Sequence, residues 1–309
     1  MSGNGPAASA GSHDGRPHVA FFGTIRNRLG ESPVWDGMRR RLWWVDAGAN
    51  AIRASDADGV ALLDWRYDQP VGSIALAENG LIAAFADGFH RIDAVTGSAT
   101  LVAAVTRPEP HMRLNDGKAD RFGRFLSGHM HAAGGTAGQL WRLDPDCSTH
   151  RLADGFGITN ALCFSPDGAT LYVADSLDGM LRRYAYDRTS GTIGSREDLV
   201  DCRAYGSGAD GATVDAAGCI WVALVLAQKL ACFAPDGALV RTIELPVPYP
   251  SCPAFGGDDL TTLYVTTIAD SGHRLVSDHP DAGRILAITG TGATGIAETP
   301  YAPMLRIRP

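Results

Sequence analysis

A carboxylate opens the stretch LGESPVWD, where Glu31 stands just ahead of Pro33, Val34 and Trp35. Three other oxygen-bearing side chains share that setting beside apolar runs: Asn115 in RLNDGKAD, Asn160 in ITNALCF and Asp210 in GADGATV. A carboxylate next to a core is costly unless a cation or hydrogen bonds offset its desolvation. Two carboxylates and two amides brought together form an all-oxygen donor set. Such a set suits one hard or borderline divalent ion: calcium, magnesium or manganese, with iron(II) and zinc less obvious. The ion would polarise a carbonyl and lower the pKa of a bound water. Taken singly, NDG at 115–117 and ADG at 209–211 are ordinary turn sequences. Only a shared position in the fold makes them a site.

A repeat supplies that position. Short apolar segments start at Leu42 (LWWVD), Leu81 (LIAAF), Arg124 (RFLSG), Leu171 (LYVAD), Ile220 (IWVAL) and Leu263 (LYVTT), at intervals of 39, 43, 47, 49 and 43 residues. Glycine-bearing turns precede most of them, and several are followed by a second strand ending in an acidic turn. No long helical period interrupts the pattern. Six units of this length predict an all-β fold, a six-bladed β-propeller. Counting back from each segment, Glu31 lies 11 residues before Leu42, Asn160 11 before Leu171, Asp210 10 before Ile220 and Asn115 9 before Arg124. Cys252 holds the place in the sixth unit, and Val71 and Gly72 in the second. Four of six blades would thus aim an oxygen at one axis, and the two carboxylates there call for a positive guest.

The chain of 309 residues carries a formal charge of -7, which argues against nucleic acid and anionic membrane surfaces as partners. No apolar run reaches the roughly 18 residues that a membrane span needs. Residues 1–17 are small and polar and read as a disordered tail without a secretory pattern, leaving 18–309 as one propeller domain in the cytoplasm. The six cysteines show no C-x-x-C pair or metal-finger spacing and read as reduced, buried thiols. Neither a G-x-S-x-G elbow nor an H-E-x-x-H pair is present, which disfavours an acyl-enzyme route.

The blocks LGESPVWD, RLNDGKADRFGRFLSGHM, ITNALCFSPDGATLYVADS, ADGATVDAAGCIWVAL and CPAFGGDDLTTLYVTT resemble, in order, those of the regucalcin/gluconolactonase family, from about residue 19 to 305. The resemblance implies a six-bladed propeller with one axial divalent metal and, for its bacterial branch, hydrolysis of pentose or hexose aldonolactones. It implies Glu31, Asn160 and Asp210 as metal ligands and Arg113 and Asn115 as sugar contacts. For Arg113 the bland alternative is neutralisation of Asp116. Asp210 is then the candidate general base, the alternative being a purely ligating Asp210 with the water activated by the ion alone. Animal members place an acidic sugar contact after the SGHM strand. Here Ala133 falls at that place, and His131 is the candidate substitute. The expected partner is a small sugar lactone, bound by a monomer or weak oligomer. Two other readings compete. One is an organophosphate or aryl-ester hydrolase, which predicts a more apolar pocket. The other is a non-catalytic propeller binding calcium or a partner protein, which predicts a large exposed apolar patch.

Overall fold

The computed structural model describes residues 16–131, 133–272 and 274–302, so residues 1–15 of the expected tail lie outside the described residues. Six four-stranded antiparallel sheets follow one another along the chain as the blades of a propeller. The innermost strands are β2 (Gly30–Asp36), β6 (Val71–Ala77), β10 (Met112–Ala119), β14 (Thr159–Phe164), β18 (Ala209–Val214) and β22 (Pro250–Gly256). The repeated apolar segments form the second strand of each blade: β3 (Arg41–Asp46), β7 (Gly80–Phe85), β11 (Phe125–His131), β15 (Thr170–Asp175), β19 (Ile220–Leu224) and β23 (Thr262–Thr267). The ring closes through the chain's start. β1 (His18–Phe22) pairs with β24 (Ile285–Thr289), Val19 opposite Ile288, and so completes the sixth blade. The one helical element described is a 3-10 turn, Cys202–Tyr205.

Blade-on-blade packing explains why the second strands read as unbroken apolar runs. Side chains alternate across a strand, so Trp43 and Val45 meet Ile74, Leu81 and Phe85 of the second blade, while Leu42 and Trp44 meet Tyr264 and Ile285 of the sixth. Both faces are therefore buried, not one, as a half-buried pattern would have it. Emptying such a position, for example Phe85→Ala, costs about 3–5 kcal/mol. Exposure rises outward: β2 is buried throughout, whereas the outermost strand β5 (Ala61–Arg66) is mostly exposed.

Candidate metal and substrate site

Every inner strand breaks register with its neighbour near its start: between Glu31 and Val34, Val71 and Ser73, Leu114 and Gly117, Asn160 and Cys163, Ala209 and Ala212, Pro250 and Pro253. A bulge bends a strand and re-aims side chains. Six such breaks at one level turn the strand starts toward the axis. The equivalent residue is the one four places before the partner of the second strand's first apolar residue. Trp35 pairs with Leu42 and gives Glu31; Ala119 with Phe125 gives Asn115; Phe164 with Leu171 gives Asn160; Val214 with Ile220 gives Asp210. In the second blade Leu76 pairs with Leu81 and gives Gly72. In the sixth, Phe255 pairs with Leu263 and gives Ser251, which corrects the assignment to Cys252. The difference is one residue, because β22 and β23 are joined by a longer turn than β2 and β3. Ser251 is turned away, its hydroxyl donating to Gly30 O at 2.5 Å.

Glu31, Asn115, Asn160 and Asp210 line one axial cavity of about 190 Å³, together with Arg113. Hydrogen bonds fix the amides. Asn115 Nδ2 donates to Asn160 Oδ1 and to Thr159 O, both at 3.0 Å, and Asn160 Nδ2 donates to Ser176 Oγ at 2.8 Å. Arg113 does not pair with Asp116; its Nη1 donates to Asn115 Oδ1 at 2.8 Å and to Leu114 O at 3.0 Å. Asp116 is held instead by the backbone N–H groups of Gly117 and Leu162, each at 2.8 Å, which ties the third blade to the fourth. The sequence reading named Asp116 only as a partner for Arg113 and passed over Ser176. NDG looks like a turn, and no spacing marks Ser176.

His131 lies elsewhere. Alternation along β11 turns Met130 into the cavity and His131 away from it, with His131 Nε2 3.0 Å from Glu109 Oε2. The sugar contact expected of His131 is therefore not offered by that side chain, and its strand neighbour Met130 lines the cavity.

Charge at the axis is unbalanced. Desolvation, then the repulsion of Asp210 and Asp116, holds the Glu31 carboxyl well above the usual range, with Ser32 N–H and Arg113 opposing only partly. Desolvation and Asp116 push Asp210 up likewise, and burial raises Asp116 to about 6. Burial also lowers Arg113 to about 10, opposed by Glu31. Glu31 and Asp210 thus share the cavity with one guanidinium, while Asp116 lies behind them beside Lys118, which is itself paired with Glu298. No described residue donates a hydrogen bond to the Asp210 carboxylate. Ligands of this kind, two acidic oxygens and one amide oxygen with uncompensated negative charge, fit a divalent cation.

Above this polar floor the wall is apolar: Leu29, Met130, Ile158, Leu177, Val225, Leu226 and Ile268. A long connection between β23 and β24 adds a rim. Its turn, stapled by Ser271 N–H to Leu275 O at 2.8 Å and an Asp270–Arg28 ion pair at 2.7 Å, presents Arg274 and Leu275 to the cavity. Arg274 pairs with no carboxylate among the described residues.

Comparison with known proteins agrees with this architecture. Residues 29–269 match the family model described as the SMP-30/Gluconolactonase/LRE-like region. The chain belongs to that family. It is 33 % identical to a regucalcin of Gallus gallus over 92 % of its own length and 98 % of the relative's. It is equally 33 % identical to a 6-deoxy-6-sulfogluconolactonase of Pseudomonas putida, over 89 % and 95 % of the two chains. Among solved structures, a calcium-binding regucalcin of Agrobacterium tumefaciens superposes with a TM-score of 0.83 at 27 % identity, covering 90 % and 95 %. Among the described residues no helix is long and apolar enough to cross a membrane.

Proposed function

We propose that this protein hydrolyses a sugar lactone or a related cyclic ester at the axial cavity, with one divalent cation held by Glu31, Asn160 and Asp210. The observation that carries the reading is the buried, uncompensated carboxylate pair beside Arg113 and Asn115. The lactonase name of the Pseudomonas putida relative and the calcium-binding description of the Agrobacterium tumefaciens protein support it. The bound ion would supply Lewis-acid polarisation of the ester carbonyl and a more acidic water.

The chain's own groups do the rest. Asp210, free of hydrogen bonds among the described residues, takes the proton from the attacking water at one carboxylate oxygen. As the water oxygen bonds to the carbonyl carbon and the ring C–O bond breaks, that proton passes to the leaving ring oxygen. Arg113, braced by Asn115 Oδ1, has donors left over to orient the carbonyl or a hydroxyl. Asn115 Nδ2 holds the Asn160 amide by its oxygen, and Ser176 Oγ holds it by its nitrogen.

The apolar wall favours a second reading, a lactone or aryl ester with a hydrophobic body. A panel of aldonolactones, alkyl lactones and aryl esters, run on chelator-treated and ion-restored protein and on Asp210→Asn, decides between them. Turnover of sugar lactones that is lost in the chelated protein and in the variant supports the leading reading. Turnover of aryl esters alone favours the second, and ion binding without any turnover leaves a non-catalytic propeller.

A further inference from the structure

A second cluster of ligating side chains sits at the other end of the fifth blade. Asp215 follows β18, Cys219 precedes β19, and Cys232 lies on β20 (Lys229–Phe233), opposite Trp221. Cys219 is two residues before Trp221, so the hairpin puts the two thiols diagonally across one face. One carboxylate oxygen and both sulfurs lie within 4.8 Å of one another. All three residues line a surface cavity of about 310 Å³ that shares no residue with the axial one. Five residue steps of extended chain, about 16 Å, separate Asp210 from Asp215.

The reason to expect an ion here comes from the repeat. Asp36, Asp120 and Asp215 hold the same place, directly after the residue that pairs with the first apolar residue of the second strand. All three are buried. Asp36 pairs with Arg39 at 3.0 Å and Asp120 with Arg124 at 2.9 Å. In the fifth blade Cys219 stands where the third has Arg124, and Asp215 has no cationic partner among the described residues. Its Oδ1 accepts from Ala217 N–H at 3.0 Å and Cys219 N–H at 2.9 Å, as Asp120 Oδ1 does from Phe122 and Arg124 N–H, and on Oδ2 Trp221 Nε1 at 2.9 Å takes the place of the Arg124 guanidinium. That leaves about one of four lone-pair positions open. Such bonds orient a ligating carboxylate as well as they satisfy a structural one.

We infer that Asp215, Cys219 and Cys232 form a second cation site, for a thiophilic divalent ion of the zinc or cadmium class. Three protein ligands leave the fourth tetrahedral position open to the cavity. Ligating thiols are deprotonated, so two thiolates and a carboxylate around a dication carry one net negative charge. Arg241, which lines the same cavity, faces that charge.

The reduced, chelator-treated full chain is titrated with cadmium, and the near-ultraviolet thiolate-to-cadmium absorption is followed. The expected result is a band that saturates at one equivalent, is lost in Cys219→Ser and persists in Asp210→Asn. Cys219→Ser should keep the wild-type melting profile and lactone turnover, which separates a lost ligand from a lost fold. Zinc should also protect Cys219 of the unmodified protein from alkylation by iodoacetamide. No band at one equivalent, a band that survives Cys219→Ser, or alkylation unaffected by zinc would each overturn the inference and leave the two thiols as packing groups. Because the site stands apart from the axis, failure of the lactonase reading would leave the cadmium, melting and alkylation outcomes unchanged.

Discussion

Asn115 Nδ2 and Asn160 Oδ1 are 3.0 Å apart, so the amide of the third blade fixes the amide of the fourth. The same Asn115 receives Arg113 on its oxygen. One side chain therefore orients both an ion ligand and the guanidinium that would meet substrate. Asn115→Ala should lower kcat/KM by roughly 10–100-fold, the range typical of removing a group that orients a ligand. Ion affinity should fall less than in Asn160→Ala. Calorimetric titration of calcium or zinc, set beside steady-state kinetics for both variants, checks the order. Equal loss of ion affinity in the two would make Asn115 a ligand in its own right.

Asp210→Asn removes a charge, a ligand and the proposed base together. Loss of a general base alone costs about 10²–10⁴ in rate. The ion-free variant should nonetheless melt at a higher temperature than ion-free wild type at any pH high enough to charge Asp210, since desolvation and Asp116 both oppose that charge in the fold. Activity and melting temperature moving in opposite directions is the signature. A fall in both would mean that Asp210 stabilises the fold.

Much of this was legible because the repeat is written in the second strands. Those are buried on both faces and cannot drift in character, so LWWVD, LYVAD and IWVAL mark their blades. The ring residues sit nine to eleven residues upstream, and four of them were found that way. Cys252 was misplaced because one extra turn residue in the sixth blade shifts the count, which only pairing reveals. His131 and Met130 differ by one residue on one strand, and no period in the sequence says which faces the axis. Asp215, Cys219 and Cys232 could not be joined from spacing, since a hairpin rather than a motif brings them together.

Gly72 explains why the second blade gives the axis nothing. A Cβ there would stand 2.6 Å from Asn115 O and 2.8 Å from Asn115 Cα. The backbone of the third blade fills the space where a ligand would project. Gly72→Ala should cost about 1–3 kcal/mol through overpacking of a rigid neighbour. It should also lower turnover, because the strand displaced carries Asn115. Denaturant unfolding and kinetics on the same preparation test both. Full activity with full stability would show that the two inner strands can part.

The three axial carboxyls also dictate how the ion-free protein responds to pH. Burial holds Asp116 at about 6 in the fold against 3.8 ordinarily, and drives Glu31 and Asp210 upward as well. A carboxyl whose folded pKa lies above its unfolded one stabilises the fold while it is protonated. That contribution is complete below the unfolded value and disappears as pH rises through the folded one. For Asp116 alone a shift of about two units corresponds to about 3 kcal/mol. Ion-free protein should therefore lose melting temperature as pH climbs from about 4 to about 7, the interval Asp116 sets, and Asp210→Asn, with one charge fewer, should flatten any further fall at higher pH. A dication must displace the bound protons, so its affinity should rise over the same interval and its binding should release protons, read by calorimetry in two buffers of different ionisation enthalpy. Binding with no proton release near neutral pH would mean that the carboxylates are already charged without the ion, and that something else in the fold balances them.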